Sequence, residues 1–290
     1  MWSQFVAANA GVAYFFAGWL ALCVGSFLNV VIYRLPVMME REFNREAREI
    51  LELEPDPETA EPAEPFNLMV PRSRCPHCEH AISAWQNIPV ISWLALRGKC
   101  AGCATPIAAR YPLVELLTCL MGLAVVYQLG FGWLAGAVLV ATWMLIAMAF
   151  IDYDTFLLPD QLTLPLLWLG LFVNLWGEIT SLQSAVVGAM VGYLLLWSVY
   201  WVFKLITKKE GMGYGDFKLL AALGAWMGWQ ILPALVLIAS VVGVIYAIAT
   251  GLFGAAKRDN PMPFGPFLAA AGWVCLLQRD TLISWYGFHP

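Results

Sequence analysis

Residues 132–151 of the chain read GWLAGAVLVATWMLIAMAFI, carry no ionisable side chain, and are followed directly by Asp152. A run of about 20 apolar residues spans the hydrocarbon core of a bilayer as one helix. Of all 290 residues, 61% are hydrophobic and 12% are charged, whereas a soluble domain is nearer half apolar and about a quarter charged. The stretch therefore predicts a transmembrane helix, and the composition excludes soluble enzyme folds.

Further apolar stretches lie on both sides of this run. Together they predict an all-α polytopic membrane protein with about eight transmembrane helices. The sixth stretch is short and rich in glycine, which indicates a half-span or a tilted helix. The stretches lie near residues 11–33, 112–129, 132–151, 157–176, 183–206, 217–229, 231–254 and 263–283.

The spacing of these stretches divides the chain into three regions. Residues 1–33 form a first transmembrane helix, 34–111 form a large domain between the first two spans, and 112–290 form a membrane-embedded domain. Within the second region, the acidic, proline-rich residues 54–65 cannot bury enough apolar surface to order themselves, so they are predicted to be a linker. A compact module with four cysteines follows at residues 71–110.

The positions of the cations predict the orientation of the chain, because short loops rich in Lys and Arg stay in the cytoplasm. If the predicted spans alternate, all of the 16 cations except Arg279 lie on one side of the membrane. Both termini are then periplasmic, and residues 34–111 form a cytoplasmic domain. The cations on that side are Arg34, Arg41, Arg45, Arg48, Arg72, Arg74, Arg97, Lys99, Arg110, Lys204, Lys208, Lys209, Lys218, Lys257 and Arg258.

Two C-x2-C pairs, CPHC at residues 75–78 and CAGC at residues 100–103, have the spacing of a zinc ribbon. Each pair lies on a tight turn that points two thiolates at one place, and four thiolates make a closed, structural zinc site. The predicted ligands are Cys75, Cys78, Cys100 and Cys103. Two disulfides or unpaired thiols are the alternatives, but thiols stay reduced in the cytoplasm. His77 and His80 are possible fourth ligands if a cysteine is displaced.

Acidic side chains at the ends of spans are candidate functional groups, because a charge in the membrane is costly. Asp152 closes the third predicted span, and Asp216 opens the sixth within GYGD, residues 213–216. The predicted topology puts both at the cytoplasmic boundary, where two carboxyl groups on different helices can face each other. Like charges a few ångströms apart cannot both ionise, so one carboxylate can activate water while the other carboxyl group hydrogen-bonds a scissile carbonyl. The pair predicts peptide hydrolysis without a metal, and the glycines before Asp216 leave room for a substrate backbone.

Each of these acids also has a structural interpretation. Asp216 could cap the helix that follows it, and Asp160 is expected to be such a cap, since Asp is among the preferred N-cap residues. Asp154 is farther from the apolar run and better hydrated than Asp152. Glu115 could be a snorkelling interfacial residue or a substrate contact, and Lys218 could pair with one of the acids.

The main alternative function is an ion-coupled membrane transporter, because intramembrane acids also serve proton and cation pathways. A transporter would have its acids near the middle of the membrane and two related halves. Here the acids lie at one face, and no related halves are visible. A receptor-like module built on the zinc ribbon would leave Asp152 and Asp216 unexplained.

Several motifs occur in order along the chain. They are GSFLNVVIYRLP at residues 25–36, the paired C-x2-C motifs, NIPVISW at 87–93, RYPLVE at 110–115, Ile151-Asp152 with LPD at 158–160, and GYGD at 213–216. A lone GxGD motif is weak evidence, but this whole set on a chain with about eight spans is specific. In these motifs the chain resembles the type IV prepilin peptidases, which are GxGD aspartyl proteases, over nearly its whole length.

The resemblance implies a protease that removes the leader peptides of type IV prepilins and type II secretion pseudopilins. Its catalytic residues fall on Asp152 and Asp216, at the cytoplasmic face of the bacterial inner membrane. Members with the cysteine-bearing domain are generally bifunctional, so methylation of the new amino terminus with S-adenosylmethionine is implied, with residues 71–111 as its expected host. The expected partners are these precursors and the lipid bilayer, and no nucleic acid.

Overall fold

A computed structural model of the chain describes residues 9–52, 65–209, 211–252 and 262–285. In these residues the regular structure is helical, apart from the isolated antiparallel bridges Arg74↔Ala81 and Lys99↔Pro106. Five helical segments are long and apolar enough to cross a membrane by length and composition. The predicted all-α polytopic membrane fold is therefore confirmed.

The described α-helices are numbered here in chain order. They are α1 (Ala10–Ile50), α2 (Ile91–Ala95), α3 (Arg110–Leu129), α4 (Trp133–Thr155), α5 (Asp160–Val173), α6 (Leu182–Thr207), α7 (Tyr214–Met227), α8 (Leu232–Leu252), α9 (Gly265–Leu277) and α10 (Arg279–Trp285). Short 3-10 turns occur at Ala84–Asn87, Asn174–Trp176 and Trp229–Ile231.

Five of the predicted spans correspond to helices of sufficient length: α1, α3, α4, α6 and the segment Trp229–Gly251 that contains α8. The other three predicted stretches form the shorter helices α5, α7 and α9, of 14, 14 and 13 residues. A 14-residue helix is about 21 Å long, whereas the hydrocarbon core is about 30 Å thick. The short, glycine-rich sixth stretch is thus a short helix, as its sequence indicates.

The first helix is longer than its apolar part. α1 has 41 residues and continues through Pro36 without a break, from the apolar run into the charged residues that follow. At 1.5 Å per residue it is about 62 Å long, roughly twice the thickness of the hydrocarbon core. The predicted boundary after residue 33 lies inside this helix. The predicted linker, residues 54–65, lies outside the described residues except for Pro65.

The chain divides into two compact units, Met1–Tyr127 and Gln128–Pro290. In the first unit, α1 crosses α3 closely at Gly25, where an added Cβ would lie 2.7 Å from the Cα of Glu115. Farther along α1, the buried guanidinium of Arg34 donates hydrogen bonds to the carbonyls of Asn67 (2.8 Å) and Pro71 (2.6 Å). These bonds tie the chain that enters the cysteine module to the first helix.

In the second unit, α7 is the central helix. The side chains of Phe217 and of residues 219–223 and 225–227 are buried, and α5, α6 and α9 all pack against the helix. The closest crossing is with α6, where Gly188 meets the backbone of Gly224 with no room for a side chain. α7 is therefore surrounded by protein, which explains why it is apolar although it is too short to span a bilayer.

Because Gly188 packs against backbone, a methyl group there must push α6 and α7 apart. We expect Gly188→Ala to destabilise the protein by about 1–3 kcal/mol, the usual cost of overpacking a core. Thermal unfolding of the purified protein in detergent measures this as a lower Tm. Gly136→Ala is the matched control, because Gly136 also lies within a helix but has open space at its Cβ position. An equal fall in Tm for both variants would contradict the proposed role of this crossing.

Candidate active site and metal centre

Asp152 lies in the last turn of α4 and is only 5% exposed. Its Oδ2 accepts a hydrogen bond from the backbone N–H of Gly265, the first residue of α9, at 3.0 Å. A Cβ on Gly265 would lie 2.6 Å from that oxygen, so only glycine allows this approach. The backbone at the start of α9 therefore binds one oxygen of the Asp152 carboxyl group.

Asp216 lies in the first turn of α7 and is 6% exposed. The N-cap of this helix is Gly213, and Asp216 lies three residues beyond it, so Asp216 is not the N-cap residue itself. The Asp216 Oδ1 atom is buried and has no hydrogen-bond partner among the described residues. One oxygen of Asp216 is thus left for a further partner.

Leu158, in the turn between α4 and α5, packs beside both acids against the glycines Gly215 and Gly265. An added Cβ on Gly215 would lie 2.6 Å from the Leu158 Cβ, and one on Gly265 would lie 3.2 Å from the Leu158 Cδ1. This side chain therefore packs against the starts of α7 and α9 at once. The two carboxyl groups themselves are close enough for the charge of Asp152 to act on Asp216.

The two glycines before Asp216 differ in their surroundings. Leu158 fills the space beside Gly215, so the absence of a side chain there serves packing within the protein. Gly213 has open space at its Cβ position. Of the two glycines expected to leave room for a substrate backbone, only Gly213 has that room in the structure.

The remaining acids near this site are exposed. Asp160 forms an ion pair with Lys218, with 2.6 Å between Oδ1 and Nζ. The Lys218 side chain is 33% exposed and that of Asp160 is 51% exposed. The expectation that Asp160 caps α5 is wrong, because Pro159 is the N-cap residue and Asp160 lies in the first turn. Asp154 is exposed, in contrast to Asp152 two residues earlier. The structure thus separates Asp154 and Asp160 from the two buried acids.

Glu115, in the first unit, is buried and not a snorkelling residue. It is 7% exposed, and its Oε2 accepts a hydrogen bond from the backbone N–H of Val90 at 2.7 Å. Val90 is the N-cap of α2 and has a positive φ of 59°, which is unusual for a β-branched residue. The carboxyl group therefore holds a strained turn of the cysteine module against α3.

The cysteine module contains two turns with the same hydrogen bonds. In the first, the N–H of Cys75 donates to His80 O and the N–H of Glu79 donates to Cys75 O. In the second, Cys100 and the residues that follow it repeat both bonds, from Cys100 N–H to Thr105 O and from Ala104 N–H to Cys100 O. Both C-x2-C pairs thus lie on the same kind of turn.

The two turns bring the four thiols together. All four sulfur atoms lie within 4.8 Å of one another, and no histidine of the described residues joins this group. The Sγ atoms of Cys75 and Cys103 are 3.8 Å apart, and those of Cys78 and Cys100 are 3.9 Å apart. A tetrahedral Zn²⁺ with Zn–S bonds of about 2.3 Å separates its sulfurs by about 3.8 Å. The four cysteines, all free thiols, therefore fit a structural zinc ion.

Thr105 supports metal binding by one of these cysteines. Its hydroxyl lies 3.1 Å from Cys103 Sγ, and hydrogen bonding to Thr105 lowers the pKa of the Cys103 thiol to about 6. A thiolate is the form that binds zinc. Hydrogen bonding around Cys103 thus favours the form that binds metal.

Sequence patterns pointed to Asp152, Asp216 and the four cysteines, but not to Gly265 or Leu158. The hydrogen bond from Gly265 to Asp152 joins residues 113 positions apart, and no local pattern encodes such a contact. The available signals were Gly265 followed by Pro266, which is typical of a helix start, and the place of Leu158 in the LPD motif.

We expect freshly purified, reduced protein to contain one zinc ion per chain. Cys75→Ser should lower the zinc content sharply and loosen the module, because a hydroxyl replaces one of four thiolate ligands. Elemental analysis measures the metal, and limited proteolysis measures the loosening. Cys23→Ser is the control, since Cys23 is an exposed thiol of α1 outside the cluster. Reduced wild-type protein without zinc would contradict the assignment.

Comparison with known proteins agrees with this arrangement. Residues 19–129 match the bacterial peptidase A24 N-terminal domain, and residues 139–248 match the type IV leader peptidase family. The prepilin leader peptidase/N-methyltransferase of Aeromonas hydrophila is 59% identical over 92% of this chain and 91% of its own length. The proteins of that name from Stutzerimonas stutzeri and Pseudomonas aeruginosa are each 56% identical, over 98% and 92% of this chain and 96% and 91% of their own lengths.

No solved structure matches the chain significantly. The two family matches cover both units in order, and the relatives share more than half of their residues with the chain over almost its full length. The chain therefore belongs to the type IV leader peptidase family.

Proposed function

We propose that the chain removes the leader peptides of type IV prepilins and type II secretion pseudopilins, with Asp152 and Asp216 as its catalytic residues. The observation that carries this proposal is a pair of buried carboxyl groups whose charges interact, at the ends of two different helices. The relatives are named prepilin leader peptidases, which supports the substrate class and speaks against a transporter. This chemistry uses no nucleophilic side chain and no metal.

The surroundings of the two acids suggest how they divide the work. The Gly265 N–H stabilises a negative charge on Asp152, so Asp152 takes a proton from the attacking water. Asp216 keeps its proton and directs it at the carbonyl oxygen of the scissile bond through the oxygen that has no partner among the described residues. The water oxygen bonds to the carbonyl carbon, and the proton on Asp152 then passes to the leaving nitrogen as the C–N bond breaks.

Gly213 is the proposed point of substrate approach. The space beside its backbone is open, and it lies three residues before Asp216 at the start of α7. An extended peptide can therefore bring its backbone close to the GYGD motif at Gly213, whereas Leu158 fills the space at Gly215. A side chain at residue 213 would occupy the same space.

We further propose that the enzyme methylates the new amino terminus of its product with S-adenosylmethionine. Support comes from the relatives, whose names include N-methyltransferase activity. The cysteine module, residues 71–111, is the proposed host of this activity. The four cysteines would hold zinc there, and zinc would supply a structural cross-link between the two turns.

The proposed location is the bacterial inner membrane, with the acids at the cytoplasmic face and both termini in the periplasm. The distribution of cations supports this orientation, because short loops rich in Lys and Arg stay in the cytoplasm. Lys257 and Arg258, which contribute to this argument, lie outside the described residues. Asp216 lies in the first turn of α7, directly after the loop that carries Lys208 and Lys209.

We expect Asp152→Asn and Asp216→Asn each to lower cleavage by about 100- to 10,000-fold, because either change removes acid–base assistance. The amide has the size of the carboxyl group, so packing and membrane insertion should be kept. Cleavage of a prepilin by purified enzyme in detergent or vesicles, followed by mass spectrometry, measures the effect.

Asp154→Asn and Asp160→Asn are the matched controls, since they make the same change at exposed acids. Both should keep substantial activity. If Asp216 only stabilised the start of α7 through its charge, Asp216→Asn should cost about 0.3–1 kcal/mol of stability and stay active. An active Asn variant at residue 152 or 216, at saturating substrate, would refute the catalytic assignment.

For methylation, cleaved pilin should gain the mass of one methyl group at its new amino terminus when S-adenosylmethionine is present. The Asp152→Asn enzyme, supplied with a pilin whose leader has already been removed, should still transfer the group if the two sites are separate. Intact-mass measurement with and without the donor tests both statements. Product of unmodified mass with ample donor would reject the proposal.

A further inference from the structure

An apolar groove runs between the cysteine module and the third helix, within the first unit. Its volume is about 480 Å³, and its lining contains almost no polar surface. The module contributes Trp93 and Leu94 of α2, and the opposite wall is formed by α3. The α3 residues that line the groove are Pro112, Leu113, Leu116, Leu117 and Leu120.

The groove lies beside the part of α3 that crosses the membrane. α3 is one of the candidate spans and begins at Arg110. At 1.5 Å per residue, Leu116 and Leu120 are about 9 and 15 Å farther along the helix axis. Half of a hydrocarbon core of about 30 Å is also about 15 Å. The segment that contains Trp93 and Leu94 therefore lies alongside one leaflet, and not out in water.

The free face of α2 is apolar. Leu94 is 61% exposed, Ile91 is 54% exposed, and Leu113 and Leu120 on the facing wall are exposed as well. Two exposed cations, Arg97 and Lys99, follow directly after this face. Apolar side chains on one side with Lys and Arg at the edge are typical of a segment at a membrane interface, where the cations contact anionic lipid.

The backbone of this segment meets the main requirement for residence in lipid. There, a backbone N–H must find its partner within the protein. The N–H groups of Ser92, Leu94 and Leu96 donate to carbonyls within residues 88–92, and the N–H groups of residues 97–99 donate within residues 93–96. Val90 has no carbonyl partner, and the buried carboxyl group of Glu115 accepts its N–H instead.

We propose that residues 88–96 form a turn that dips from the bilayer interface into one leaflet, with lipid acyl chains in the groove and anionic headgroups at Arg97 and Lys99. The groove lies between this turn and the membrane-spanning helix α3. The lipid that surrounds α3 therefore also covers the turn. Glu115 keeps the turn in place by accepting the hydrogen bond that water would otherwise make. The cysteine module is thus partly a membrane-bound domain.

The test introduces a photo-reactive phenylalanine analogue at residue 94 of the full-length protein, reconstituted in vesicles of phosphatidylethanolamine and phosphatidylglycerol. Met69 is the matched control position, because it is 84% exposed but lies outside the groove. We expect several-fold more lipid adducts after illumination at residue 94 than at residue 69, read by mass spectrometry. Zinc content verifies that the module is folded in both proteins, and residue 91 serves as a second position.

Two further arms separate the possible occupants. Arg97→Gln together with Lys99→Gln should lower the share of phosphatidylglycerol among the adducts, while total adducts persist. Adding a prepilin tests whether the groove instead binds the apolar segment of a substrate. Lipid adducts no more frequent at residues 91 and 94 than at residue 69, or adducts to the prepilin alone, would overturn the proposal.

Discussion

The backbone contact between Gly188 of α6 and Gly224 of α7 is the interaction on which the second unit depends. Apolar side chains gain little by leaving lipid, so helices in membranes associate through close packing and hydrogen bonds. Two glycines permit the closest packing, and they place the short helix α7 at the centre of the unit, out of contact with lipid. The first turn of α7 then carries Asp216 among the ends of other helices. A carboxyl group can be buried there because its surroundings are protein.

The sequence predicted most helices and both buried acids, because apolar runs and costly charges are local signals. It predicted that the first span ends at residue 33, and α1 continues beyond that point to Ile50, since a helix satisfies its backbone bonds locally whether its side chains are apolar or charged. The interpretation of Asp160 as a cap failed because Pro159 is the N-cap residue of α5, and Asp160, one residue later, pairs with Lys218 instead. The hydrogen bond from Gly265 to Asp152 could not be predicted from the sequence either, because it depends on tertiary packing alone.

The cysteine module shows the opposite case, in which spacing alone predicted the geometry. Each C-x2-C pair fixes a short turn, and a residue with positive φ closes each one: Glu79 at 56° and Ala104 at 58°. Neither residue is glycine, so no glycine marked these positions in the sequence. The shared hydrogen bonds explain why two unrelated tetrapeptides present their sulfurs in the same way. The orientation of the module relative to the membrane depends on charge, and remains a prediction.

The burial of the two acids has a consequence for when the enzyme can act. With exposures of 5% and 6%, Asp152 and Asp216 offer little surface to a peptide while the ends of α4, α7 and α9 stay packed around Leu158. The proposed hydrolysis by these residues therefore requires those helix ends to separate first, and such motions take microseconds to milliseconds. In the resting state, the surrounding helix ends therefore shield both acids from a peptide backbone.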